Sequence, residues 1–210
     1  MFTYTVKYDS GKPLYLVGNT TWNRELYHSI KKQTQVEVVS MEELQKKTAQ
    51  ELDAHQYFCS AGFLGFKLKL IDCIRQKVEN PNFVSLVSNQ SFVHDEVDLG
   101  RGVLVCPTAL ITGPSFIGDF CTINHYTIIG HGFSTLKEHV FTGAYVNIAN
   151  SVLERGTWIG SFTKLDRVTT GPYTQFYINS RIKNHKFTET GTYKNKIRMD
   201  ERGSLDLDIN

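Results

Sequence analysis

Residues 87–129 read VSNQSFVHDEVDLGRGVLVCPTALITGPSFIGDFCTINHYTII, with an aliphatic side chain at every sixth place: Val87, Val93, Leu99, Val105, Ile111, Ile117, Ile123 and Ile129. A helix repeats its apolar face at three and four residues and a flat strand at two, so a period of six belongs to neither. It fits a chain that runs one short strand, turns a corner and runs the next, each aliphatic side chain pointing into a three-sided prism. A second column agrees. Four residues after the aliphatic one stand Ser91, Val97, Val103, Ala109, Ser115, Cys121 and Thr127, small or β-branched side chains that fit inside a corner. Gly100, Thr112, Gly118, Asn124 and Gly130 directly follow aliphatic positions, where a turn-prone residue eases the bend.

The expected fold class is a left-handed parallel β-helix of hexapeptide repeats over residues 83–170, followed by a C-terminal segment, 171–210, that is partly an extended tail. Past Ile129 the register slips. Eleven residues separate Ile129 from Val140, the period resumes through Val146 and Val152, and a gap of seven precedes Ile159 and Leu165. One residue reads as missing after Ile129, and such a slip in a strict repeat marks a loop or site on the outside of the prism.

Residues 1–82 lack the hexad and alternate short apolar runs with helical patterns, which predicts a small, Rossmann-like α/β unit with a parallel sheet. Strands are expected at Pro13–Gly18, Gln35–Ser40 and Gln56–Ser60. Helices are expected after Asn19, Thr20 or Thr21, over Met41–Lys47, and from Phe63 to the stop at Asn80-Pro81. In such sheets ligands bind beyond the carboxyl ends of the strands, here Gly18-Asn19 and Ser60-Ala61-Gly62. The loop VGNTTWN has one glycine where a dinucleotide fingerprint has three, so a helix start that binds nothing is the plainer reading.

With 23 basic and 21 acidic residues in 210, the net charge of +2 gives no electrostatic reason to expect nucleic acid or an anionic membrane. Cys59, Cys73, Cys106 and Cys121 fall in no metal-binding spacing, the chain does not open on a secretory signal, and no apolar run approaches the roughly 18 residues of a membrane span. A cytoplasmic location is expected, without membrane insertion.

An α/β unit followed by a hexapeptide β-helix resembles the sugar acyltransferases that include sialic acid O-acetyltransferases and bacterial nucleotide-sugar N-acetyltransferases. The stretches that carry the resemblance are NPNFVSLVSNQSFVHDEVDLGRGV, at the entry to the first coil, and INHYTIIGHGFSTLKEHVFTGA, residues 123–144. The resemblance implies a cytoplasmic homotrimer that transfers an acyl group, most simply from acetyl-CoA and without a metal, to an amine or hydroxyl of a nucleotide-linked sugar in surface glycan biosynthesis. It implies His131 as general base, with His139 and the backbone around Gly143 and Ala144 toward the acyl-CoA. Gly18, Asn19, Gly62, Asn124 and His125 are the implied sugar-side residues. Imidazole suits proton abstraction near neutrality.

The sequence departs from that pattern at three places. Gly132 stands where an acidic residue often follows the base, so Glu138 or Asp119 would have to orient it. The two histidines are eight residues apart, one fewer than in relatives, and the usual Gly-x-Pro-Ala ending gives way to TTGPYTQFYINSRIKNHKF. Tyr173, Phe176, Tyr177, Arg181, Lys183 and Lys186 of that segment would either clamp CoA phosphates or form a docked tail with solvated charges. Two alternatives remain open: an inactive scaffold binding CoA or sugar, and a zinc carbonic-anhydrase-like β-helix using His94, His125, His131 or His139.

Overall fold

A computed structural model describes residues 3–18 and 21–198. The described residues divide into two units, one up to Leu86 and the other from Val87 onward.

The first unit contains β1 (Tyr4–Lys7), β2 (Leu14–Val17), α1 (Thr21–Ile30), β3 (Val36–Val39), α2 (Met41–Lys46), α3 (Ala49–Asp53), β4 (Gln56–Cys59) and α4 (Leu64–Arg75). β2 is central in a parallel sheet ordered β3-β2-β4. Its residues LYLV are buried on both faces, as a parallel strand covered by helices requires. Of Trp22, Leu26 and Ile30, the face its 3.6-residue period predicts, α1 buries Leu26 and Ile30 and leaves Trp22 half-buried. Two capping boxes, Ser40 with Glu43 and Thr48 with Glu51, start α2 and α3. The backbone N–H of Ser40 and that of Thr48 hold the carboxyls of Glu43 and Glu51 below the usual carboxylate range. Sequence periodicity did not separate α3 or mark β1. The last helix, expected from Phe63 to Asn80-Pro81, runs from Leu64 to Arg75, with Phe63 as its N-cap, exposed at 74 %.

The second unit is a three-sided prism of parallel strands. One face carries inward Val105, Ile123, Thr142, Ile159, Phe176 and Tyr193, in register from coil to coil. The second carries Val93, Ile111, Ile129, Ile148, Leu165 and Ile182. The third carries Leu99, Ile117, Leu136 and Leu153, and then Thr170 and Phe187. These columns meet in one continuous core.

The register past Ile129 differs from the sequence expectation. Leu136 follows Ile129 as the next inward residue, so this hexad is one residue long where one had seemed to be missing. Val140 and Val146 fill the inner corners, and Val152 points outward at 38 % exposure while Leu153 takes the core position. The gap before Ile159 closes, because Leu153 stands six residues before it. The intervals Ile148 to Leu153, Leu165 to Thr170 and Ile182 to Phe187 are each five residues. Every irregular interval falls at the same corner, which juts out at residues 130–133 and is drawn in below. Residues 171–194, expected as a terminal segment, continue the coil: Gln175–Phe176 and Thr192–Lys194 extend the first face and Arg181–Lys186 the second.

Burial silences the thiols. Cys59 is 1 % exposed, its thiol pushed up to about 12 by desolvation, and Cys106 and Cys121 are buried in the prism. Alkylation of the native protein near neutral pH is expected to label Cys73, the half-buried one, and to reach the other three only after denaturation, with peptide mass spectrometry as the readout.

Candidate functional site

Each coil turns three corners, and the candidate residues divide among them. The corner after Ile129 belongs to His131. Its sequence, Gly130-His131-Gly132, is dictated by the neighbouring coils. A Cβ on Gly130 would stand 1.8 Å from Thr112 Oγ1, and one on Gly132 would stand 1.9 Å from Asn150 Oδ1. Two side chains from adjacent coils therefore close on the loop from either side of the histidine. Gly132, at φ 118°, adopts a conformation that L side chains rarely take, and His131 itself sits at φ 57°. His131 and Gly132 are exposed, and beside them Phe133 stands 76 % exposed. Positive φ is common to the corners of this prism, at Phe120, Tyr145 and Phe162 among others, so what sets His131 apart is an exposed imidazole on the longest corner, above three shortened ones.

Below it the same corner carries Asn150, Arg167 and Asn184, each at positive φ. Arg167 bonds the Asn184 side chain at 2.5 Å and pairs with Asp166 at 2.8 Å, and Lys183 reaches the same carboxylate at 3.6 Å. A polar, cationic track thus runs along the prism axis away from His131.

His139 lies at the next corner, one face further round. It is 8 % exposed and stacks on Phe120, ring centroids 5.1 Å apart and 8° between planes. Asp119 and Glu138, the carboxylates considered for orienting His131, share that corner with His139. One chain brings neither to the base.

Asn124, His125, Gly143 and Ala144 occupy the remaining corner. Asn124 Oδ1 accepts the backbone N–H of His125 at 2.8 Å and lies 2.7 Å from its ring Nδ1. The Gly143 amide donates to the Ile159 carbonyl at 2.6 Å, and the Ala144 amide to Ser161 Oγ at 3.2 Å. Both are therefore committed within the ladder and are not open donors for a thioester carbonyl. A Cβ on Gly143 would meet the Ser161 backbone nitrogen at 2.6 Å, which accounts for the glycine by close packing of coils.

This corner carries a feature that hexad reading passed over: Tyr126, Tyr145 and Phe162 stack in a half-exposed ladder, centroids 4.6 and 5.1 Å apart. They border a groove of about 620 Å³ along the second face, which Asn147, Lys164 and Arg181 also line. Neither cation is paired with a carboxylate among the described residues. The signal was present as an aromatic three residues past the inward position in successive coils.

In the first unit, Gly18 (φ 108°) packs against the Ser60 carbonyl, and the buried Asn23 side chain donates to the Gly18 carbonyl. The loops after β2 and β4 therefore meet. Gly62 borders open space, and Asn19 lies outside the described residues. Among the described residues no three His, Cys, Asp or Glu side chains are grouped to hold a metal ion, and no helix is long and apolar enough to cross a membrane.

Fold and site together define a hexapeptide-repeat β-helix with an α/β unit in front and a histidine on an enlarged corner. No protein-family model and no curated protein matches the sequence. Among solved structures the chain is similar to a histidine-to-asparagine variant of perosamine N-acetyltransferase from Caulobacter crescentus, in complex with CoA and GDP-perosamine. That match has 15 % identity and a TM-score of 0.50, over 88 % of this chain and 90 % of the other. WeeI from Acinetobacter baumannii AYE aligns at 14 % identity and a TM-score of 0.50, over 86 % of this chain and 92 % of that one. These likenesses establish the fold, and they match the family that the sequence resembles.

Proposed function

We propose that this chain transfers an acyl group, most simply acetyl from acetyl-CoA, to an amine or hydroxyl of a nucleotide-linked sugar, with His131 as general base. The observation that carries the reading is the His131 corner: an exposed imidazole on the one seven-residue hexad among the described coils. The cationic track below it and the Lys164–Arg181 groove offer places for a phosphate-bearing substrate.

In this reading the sugar nitrogen or oxygen attacks the thioester carbonyl while His131 takes its proton. The tetrahedral adduct then expels the CoA sulfur, which recovers that proton from the imidazolium, so base and product are regenerated without a covalent enzyme intermediate. The carbonyl oxygen needs a donor as it becomes negative. With the Gly143 and Ala144 amides committed, that donor comes from another corner or another copy. A closed threefold ring would set the His131 corner of one copy against the next and let the neighbour supply that donor, which is the reason to assign a homotrimer. The α/β unit, a Rossmann-like remnant, takes the nucleotide beyond β2 and β4. The setting is the cytoplasm, in the making of surface glycans.

Light scattering of the purified protein is expected to give the mass of three chains, and acetyl-CoA with a panel of nucleotide-linked amino sugars should release free CoA thiol. A monomer, or no thiol release with any acceptor, would remove the proposal.

A further inference from the structure

The shortened hexad beneath the His131 loop is pinned on both sides of Asn150. Ile148 is fully buried, and Ser151, also fully buried, donates from Oγ to the Ala149 carbonyl at 2.7 Å and accepts from the Val168 amide at 3.1 Å. Asn150 itself sits at φ 49°, a conformation that asparagine tolerates better than most residues. Its side chain is thereby aimed at the longer loop above. A Cβ on Gly132 would stand 1.9 Å from Asn150 Oδ1, 2.9 Å from its Cγ and 3.5 Å from its Nδ2, so the carbonyl oxygen leads.

We propose that Asn150 is the positioning residue for His131: its carboxamide, held by a rigid five-residue hexad, fixes the Gly130–Phe133 loop and with it the bearing of the imidazole. The inference rests on the reading of His131 as base for its catalytic meaning, though not for its test. A loop one residue too long has freedom to lose, and a reacting group contributes most when that freedom is removed beforehand. Thr112 closes the other side of the loop over Gly130, and its Oγ1 donates to the Ile129 carbonyl at 3.4 Å. Asn150 is neutral, so it orients the ring without adding charge. The titratable groups at this corner are His94, Asp95 and Glu96 in the coils before, of which His94 and Glu96 pack against Gly113, and Asp166, Arg167, Lys183 and His185 in the coils after.

Asn150→Asp is nearly isosteric and keeps a residue that accepts positive φ, so the fold is expected to persist while a carboxylate is set beside the loop. A carboxylate favours imidazolium, so the titration midpoint of His131, followed by NMR of histidine-labelled full-length protein and assigned with His131→Ala, should rise by about half a pH unit or more. In Asn150→Ala the backbone order parameters of residues 130–133 should fall while those of the coils stay unchanged. With acetyl-CoA and the nucleotide-linked amino sugars, kcat should drop about ten- to a hundred-fold at unchanged KM. A wild-type titration curve in Asn150→Asp, or wild-type loop order in Asn150→Ala, overturns the assignment. Should His131→Ala retain full transfer, the general-base reading falls while the NMR result still decides whether Asn150 positions the loop.

Discussion

His131→Ala should lower acyl transfer by about a hundred- to ten-thousand-fold, the span over which a positioned general base contributes. The loss is expected in kcat, with acetyl-CoA binding and the mass of the assembly unchanged, because the side chain is exposed and contributes nothing to the core. Conversely, His139→Ala should act through packing as well as chemistry, since that ring is buried against Phe120. Steady-state rates beside thermal midpoints separate the two: His131→Ala should change only the rate and His139→Ala both. Full activity in His131→Ala would remove the mechanism.

The second large effect concerns register. Leu153→Ala should destabilise by about 2–5 kcal/mol, the range for a truncated core leucine, because Leu153 is fully buried in line with Leu136. Val152→Ala, one residue away, should change stability by no more than about 0.5 kcal/mol, as an outward side chain does. Denaturant midpoints measure both. The reverse order would restore a period running through Val140, Val146 and Val152.

That contrast shows what the sequence could and could not specify. Eight aliphatic residues in strict sixes left no other fold for the first coils, because no other column of the hexad is aliphatic in every repeat. After Ile129 the rule failed for a physical reason: the inner corner accepts valine as readily as serine or threonine. Val140 and Val146 there looked like inward positions of a face, while the inward residue of that coil on the first face is Thr142. Composition could not tell the two columns apart, whereas strand pairing does. The coils beyond residue 170 were hidden likewise, since five-residue hexads break a search for sixes.

Of the candidate site, His131 stood out in the sequence because motif and slip coincide on it. The side chains that close on its loop did not, because Thr112 and Asn150 lie one coil away on either side, at separations no local motif spans. The expected carboxylates and amides were near in sequence and yet turned to other corners, since three residues of chain are enough to leave a face. The two glycines around His131 were the available clue. Each makes room for a side chain from a neighbouring coil.

Mass spectrometry of nucleotide-linked amino sugars and sialic acids incubated with acetyl-CoA tests the account most directly, run in parallel with wild type and His131→Ala. The account predicts an acceptor one acetyl group heavier with wild type and none with the variant. Acetylation of equal extent by both proteins, or a wild type that neither binds acetyl-CoA nor modifies any sugar, would contradict it.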